Sequence, residues 1–140
     1  MKVPFDILAL DHVVLRVRHL DQSLRFYRDI LGCPVEKVQE NFGLYQLRAG
    51  QSLIDLVDIN GPLGRKGGAP AGPEGRNMDH LALEISGFDI DELTSYLTAH
   101  AVKIGDYGRR YGARGYGPSL YIEDPDGNIV ELKGPPESNR

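Results

Sequence analysis

The sequence predicts an α+β protein made of two tandem βαβββ modules. Three observations predict it. Residues 10–17, Leu-Asp-His-Val-Val-Leu-Arg-Val, are echoed by residues 78–85, Met-Asp-His-Leu-Ala-Leu-Glu-Ile, with His12 and His80 at the same place in each copy. A carboxylate recurs as well: Asp55 within Leu53-Ile54-Asp55-Leu56-Val57 and Glu131 within Ile129-Val130-Glu131-Leu132-Lys133. Finally, each half carries one amphipathic helical run between its first strand and a set of short β segments.

Residues 8–17 alternate with period two and are rich in β-branched side chains, as a strand requires. That period puts Leu10, His12, Val14 and Arg16 on one face, mixed like a cleft wall. Asp11, Val13, Leu15 and Val17 take the other face, which can pack on a helix. Asp21 is the expected N-cap of a helix reaching Leu31. Leu24, Tyr27 and Leu31 recur at i, i+3, i+7, and Phe26 and Ile30 widen the stripe. Gly32 and then Pro34 stop it. Three β segments follow, at 35–39, 43–48 and 52–59, separated by Asn41-Phe42-Gly43 and Ala49-Gly50.

Glycine and proline dominate residues 60–77, which cannot form a regular element. The stretch reads as a linker between the halves or as a lid over a site. The second half then repeats the order. A strand covers 79–86, and Asp89 or Asp91 caps a helix running to about His100 with Leu93, Tyr96 and Leu97 inward. A strand lies near 102–106. Gly108–Gly117 reads as a hairpin loop rich in glycine and arginine. Strands at 119–123 and 129–133 are joined by Asp124-Pro125-Asp126-Gly127-Asn128, strong turn chemistry. The tail from Gly134 is expected to fray. The chain is thus expected to be a single domain over 1–140, with module 1 at about 7–60, the linker at about 61–77 and module 2 at about 78–134.

Composition excludes several classes of function. A net charge of −4 with both signs interspersed gives no basic run for nucleic acid. No apolar run approaches the ~18 residues of a membrane span. The start lacks a signal-peptide core, and the only cysteine, Cys33, rules out an internal disulfide. Together these point to the cytoplasm. Cys33, between Gly32 and Pro34 at a helix exit, reads as a packing residue.

The chemistry-bearing residues fall on the repeat. His12 and His80 on first strands and Asp55 and Glu131 on last strands could converge on one divalent ion at a pseudo-two-fold axis. Glu131 shares a strand face with Ile129 and Lys133, and a carboxylate among apolar neighbours is costly to bury unless paired or bound to metal. Ser119 and Tyr121 share a face of the preceding strand and can point into the same cleft. Imidazoles with carboxylates suit Zn, Mn, Fe, Ni or Co and leave positions open for a substrate chelating through adjacent oxygens. Asp55 reads either as a proton-moving group or fourth ligand, or as a solvated carboxylate. His19 and His100 read as solvated. Arg109, Arg110 and Arg114 could clamp an acidic substrate group or form a solvated loop tip, with Tyr111 and Tyr116 covering the cleft.

These motifs resemble a known family. Leu10-Asp11-His12, residues 26–32 (Phe-Tyr-Arg-Asp-Ile-Leu-Gly), Met78-Asp79-His80 and residues 121–131 (Tyr-Ile-Glu-Asp-Pro-Asp-Gly-Asn-Ile-Val-Glu) are similar to the vicinal oxygen chelate superfamily. That superfamily includes glyoxalase I, fosfomycin-resistance proteins, bleomycin-resistance proteins and extradiol dioxygenases. The resemblance implies modules whose sheets curve around a metal cleft, with His12, His80 and Glu131 as ligands. Residues 12–17 look like the first strand of bacterial glyoxalase I, where the arginine matching Arg16 binds a glutathione carboxylate. Glyoxalase I has a glutamate at the place of Asp55, one methylene longer. Fosfomycin-resistance proteins have matches to Ser119 and Tyr121, whereas Val14 replaces their threonine. The implied function is a metal-dependent enzyme on a small vicinal-oxygen substrate, a lyase/isomerase or thiol transferase. Catalytic roles fall to Glu131 and Asp55, and substrate binding to Arg16, Ser119, Tyr121 and Arg114. The alternatives are an extradiol-type ring-cleaving dioxygenase and a non-catalytic small-molecule (antibiotic) binding protein. A homodimer is expected, in which His12 and Asp55 of one chain meet His80 and Glu131 of the other.

Overall fold

The structure is a computed structural model and describes residues 1–138. Contacts divide the chain into two compact units, Met1–Pro70 and Ala71–Arg140. The first unit runs β1 (His12–Val17), α1 (Leu20–Leu24) continuing as a π-helical turn over Arg25–Ile30, β2 (Val35–Gln39), β3 (Leu44–Ala49) and β4 (Ser52–Asp58). The second runs β5 (Leu81–Glu84), α2 (Ile90–Ala99), β6 (Lys103–Gly112), β7 (Gly115–Glu123) and β8 (Ile129–Lys133). Each is a βαβββ module with its own four-stranded mixed sheet, ordered β1-β4-β3-β2 in one and β5-β8-β7-β6 in the other. In both, the first strand runs parallel to the last and the remaining pairs are antiparallel. Among the described residues no helix is long and apolar enough to cross a membrane.

Strand β1 begins at His12, not at residue 8. Its partner β4 starts only after the Gly50 turn, so nothing pairs with residues 8–9; Asp11 and Leu10 still take bonds from Leu53 N (3.1 Å) and Ser52 Oγ (2.8 Å). The alternation itself holds. Leu15 and Val17 are buried against the helix with Phe26, Tyr27, Ile30, Leu47, Ile54 and Leu56. His12, Val14 and Arg16 take the opposite face.

Asp21 is not the N-cap. The helix starts two residues earlier, with His19 as the cap and no side-chain capping bond, and Asp21 lies in the first turn, where a carboxylate suits the positive end of the helix. The last turn widens, with Leu31 N donating to Phe26 O at 2.9 Å, five residues back. The extra residue takes Leu31 off the expected stripe and leaves it half-buried. Gly32 has φ +79°, the left-handed conformation that ends a helix cheaply only in glycine.

In the second unit Asp89 caps α2 by accepting a bond from Glu92 N at 3.0 Å. Leu97 is buried, but Tyr96 is 42% exposed and does not face the core. It sits instead against His100, ring centroids 4.5 Å apart, the i, i+4 neighbour on the outer face.

The largest departure from expectation is the stretch 108–117. It is two paired strands, not a loop: Arg109 faces Pro118, Tyr111 faces Tyr116, and the turn shrinks to Ala113-Arg114. Its glycines mark crowding. A Cβ on Gly112 would lie 2.4 Å from Lys133 Cε, so the missing side chain is what lets the lysine lie along the sheet. Nor does the tail fray as expected up to Glu137. Gly134 N donates to Pro118 O (2.8 Å) and Glu137 N to Tyr116 O (2.7 Å). The end of that tail, residues 139–140, lies outside the described residues.

Candidate metal centre

In the first unit the edge strand β1 brings up His12 at its first residue. The imidazole is half-exposed, and its Nδ1 pairs with Asp11 Oδ2 at 2.7 Å, leaving Nε2 for another partner. This hydrogen bond raises the His12 pKa above the ordinary imidazole range, and the charges of Asp55 and Asp11 add to it against desolvation. Asp55 stands on β4 directly opposite Val14. It is 2% exposed. One carboxylate oxygen, Oδ2, accepts from Gln46 Nε2 at 3.2 Å, while Oδ1 is buried with no hydrogen-bond partner. Burial pushes this carboxyl up, opposed by the Gln46 hydrogen bond and the His12 charge.

A buried oxygen without a partner is uncommon and costs about 1–3 kcal/mol. It fits a site meant to receive a cation or a proton. The sign follows from the direction of the shift. With its folded pKa raised, ionised Asp55 destabilises the metal-free fold at neutral pH, and the penalty is relieved as pH falls through that raised value. Asp55→Asn is therefore expected to stabilise the metal-free protein by about 1 kcal/mol at pH 7. It should also flatten the rise in stability on acidification, read by urea denaturation from pH 8 downward through the carboxylate range.

Arg16 lies on the same face, but its guanidinium turns to the linker. Nε donates to Gly64 O (2.8 Å), Nη2 to Gly68 O (2.5 Å) and Nη1 to Ala69 O (3.3 Å). The group lies so close over Gly67 that a Cβ there would sit 2.3 Å from Cζ. Residues 64–69 are thus wrapped on an arginine, with a short 3-10 turn at Gly64–Gly67. Arg16→Ala is expected to speed tryptic cleavage after Arg65 and Lys66 by roughly tenfold or more, since several charge-assisted bonds holding the segment are lost. Timed digestion with mass-spectrometric assignment of the cuts checks this.

In the second unit His80 immediately precedes β5. Its Nδ1 pairs with Asp79 Oδ2 at 2.7 Å and its Nε2 faces Glu131 Oε1 at 3.1 Å. Glu131, 5% exposed on β8, gives its other oxygen to Ser119 Oγ at 2.5 Å. Tyr121 stands directly opposite Glu131 on β7 and meets His80 edge-on, centroids 5.5 Å apart. Burial first, and then the Glu131 charge, raise the Tyr121 pKa, so the phenol stays protonated as a donor. The Arg110 guanidinium lies 5.7 Å from the Tyr121 ring centre. Arg114 is paired with Glu84 (2.5 Å), and Arg109 with Glu137 (2.6 Å) while stacking on Tyr116. Tyr111 and Tyr116 pack edge to face on each other at 5.0 Å.

The two units share a pattern that strand alternation misses. Asp11 and Asp79 each hold Nδ1 of the next histidine. Both sit ahead of their strands, so the period-two rule, which sends Asp11 to the opposite face, does not govern them. The available signal was the repeated Asp-His dipeptide. A carboxylate behind an imidazole fixes its tautomer and raises the basicity of Nε2, the arrangement that metal-binding histidines use. Gln46 also went unread. Each unit offers one imidazole and one strand carboxylate. Among the described residues no group of three His, Cys, Asp or Glu side chains is gathered tightly enough to hold an ion.

Known proteins share this sequence pattern and fold. A sequence model of the Glyoxalase/Bleomycin resistance protein/Dioxygenase superfamily matches residues 9–132. Virulence protein STM3117 of Salmonella typhimurium is 28% identical over 129 residues, spanning 88% of this chain and 81% of that protein. Its crystal structure superposes with a TM-score of 0.73 at 27% identity, covering 93% of this chain and 98% of that one. Lactoylglutathione lyase of Haemophilus influenzae is 28% identical over 131 residues, 86% of this chain and 88% of the lyase. Metallothiol transferase FosB of Staphylococcus haemolyticus is 27% identical over 126 residues, 90% of this chain and 83% of the transferase. The chain belongs to the glyoxalase/bleomycin resistance protein/dioxygenase superfamily.

Proposed function

We propose that the protein is a metal-dependent enzyme of the glyoxalase type, acting on a small substrate through adjacent oxygens, as a lyase/isomerase or thiol transferase. The observation that carries this reading is the duplicated Asp–His pair, set in each unit beside a buried strand carboxylate, one of which keeps an oxygen without a partner. His12, His80 and Glu131 are the proposed ligands, with Asp55 as fourth ligand or proton acceptor, for Zn, Mn, Fe, Ni or Co. When bound, the ion supplies Lewis-acid polarisation of the substrate oxygens.

The chain's own residues supply the rest. Asp55, with its pKa raised by burial, is a stronger base than an exposed carboxylate, as a proton acceptor needs to be. Tyr121 donates from its phenol, and Ser119 holds Glu131. Arg110, beside Tyr121, suits an acidic end of the substrate. Arg16 and Arg114 can join substrate binding only by leaving the linker carbonyls and Glu84. The names of two relatives, a lactoylglutathione lyase and a metallothiol transferase, favour thiol-linked substrates.

We further propose a homodimer, with half of the ligand set from each of two chains. Ile7, Leu8 and Leu10 are each more than 80% exposed just ahead of β1, an edge strand, so a partner would bury them. The single, buried Cys33 fits the cytoplasm as the compartment.

Elemental analysis of the purified protein, followed by turnover assays with each metal, tests the reading. Methylglyoxal–thiol adducts and fosfomycin plus thiol are the substrates expected to turn over, in step with bound metal. Oxygen uptake with catechols requiring Fe(II) would instead make it a dioxygenase. Ligand-dependent thermal stabilisation without metal or turnover would make it a binding protein.

A further inference from the structure

We infer that Gln46 is a positioning residue that makes Asp55 a one-oxygen group, with Gln39 fixing Gln46 in turn. The inference rests on the metal-enzyme reading and deepens it. Gln46 on β3 is the direct cross-strand partner of Asp55 on β4. Its Nε2 donates to Asp55 Oδ2 at 3.2 Å, and its Oε1 accepts from Gln39 Nε2 at 2.8 Å. The chemistry of the chain sets its direction. An ionised carboxylate only accepts, so the Gln46 amide must present its nitrogen there and its oxygen to Gln39. Both glutamines are half-buried, and the Gln46 amide cannot turn over without losing two hydrogen bonds.

The consequence falls on the carboxylate. Oδ2 is held back toward β3, and Oδ1 alone is left, buried and without a partner. Glu131 is arranged to the same end by other means: Ser119 holds Oε2 at 2.5 Å, and Oε1 faces His80 Nε2 at 3.1 Å. Each unit therefore ties down one oxygen of its carboxylate and presents the other. In the first unit, where aspartate is a methylene shorter than glutamate, the reach of that oxygen is set by the glutamine behind it. Gln46 touches neither ion nor substrate; it acts through Asp55.

The test uses the full chain stripped of metal by chelator and titrated with Co(II) alone, reading the dissociation constant and the visible ligand-field bands. Gln46→Leu is expected to bind Co(II) about 10- to 100-fold more weakly with shifted bands, the scale found for partners that orient a ligand. Gln39→Leu should move both in the same direction by less. Gln46→Asn, which keeps a donor on a shorter arm, should fall between Gln46→Leu and the parent. Thermal melting of each metal-free variant separates these effects from loss of fold, and Gln39→Leu, at the rim of the relay, carries the test if Gln46→Leu does not fold. Parent-like affinity and bands in Gln46→Leu and Gln39→Leu, with Asp55→Asn altered, would overturn the inference. So would an unchanged Asp55→Asn. His80→Ala distinguishes the two levels: if it loses Co(II), the metal reading survives without the relay, whereas a parent protein that takes up no Co(II) ends both.

Discussion

His80→Ala is expected to weaken divalent-metal binding by at least about 100-fold and to abolish metal-dependent turnover, while the metal-free protein keeps its fold. The two halves of that statement rest on different observations. His80 lies just outside β5, its side chain 35% exposed, so its removal opens no core cavity, and its cost is the lost partner of Glu131 Oε1, about 1–3 kcal/mol. Its chemistry is concentrated: Nδ1 is fixed by Asp79, and Nε2 stands 3.1 Å from Glu131 Oε1, which is 5% exposed. Even a partner that only orients a metal-binding histidine is worth 10- to 100-fold in affinity, so loss of the histidine itself should exceed that range. Asp79→Ala should fall at its lower end, near tenfold, because Asp79 is almost wholly in water. Calorimetric titration of Zn(II) or Ni(II) into each variant gives both numbers. Full-strength binding in a His12→Ala, His80→Ala double variant would remove the metal centre from the molecule.

The parts of this site that could be read from sequence are those that repeat. His12 and His80 are legible because a period-two strand and a second copy of the same motif mark the same side chain. Asp55 and Glu131 are legible because a lone carboxylate interrupts an apolar strand twice. Gln46 is invisible by the same rules. Nothing local marks a glutamine on a half-buried strand. It matters only because the turn at Gly50-Gln51 sets β3 and β4 in a register that puts it opposite Asp55. Arg16 shows the converse. Alternation gives it to the face of His12 and Val14, yet three linker carbonyls far along the chain claim its guanidinium, which no pattern within the strand can report. The stretch 108–117 fails for another reason. Glycine serves both loops that need freedom and strands that need room, and only the Lys133 side chain over Gly112 and the Gly134–Pro135 backbone over Gly117 decide which. The π turn in the first helix is likewise hidden, since one extra residue per turn leaves the hydrophobic composition unchanged.

Leu56→Ala should destabilise the protein by about 3–4 kcal/mol, and Val14→Ala by less than about 1 kcal/mol. The contrast tests how β1 and β4 are faced. Leu56 is 0% exposed in the strand between β1 and β3, with Leu15 directly opposite on one side and Tyr45 on the other. Truncating it leaves a cavity among side chains packed beneath the helix, and a central strand held on both edges cannot shift to fill it. Val14 is 47% exposed on the other face of β1, so its methyl groups contribute little burial. For a chain of this size each kcal/mol is worth roughly 3–5 °C in melting temperature, so Leu56→Ala should melt about 9–20 °C lower. The same facing puts His12 and Asp55 on the wall opposite the helix, Asp55 next to the core residue Leu56 and His12 three residues before Leu15. If denaturation at 25 °C showed Val14→Ala costing as much as Leu56→Ala, the polar face would be a packed one, and the carboxylate and imidazole set into it would have no room for a cation or a substrate.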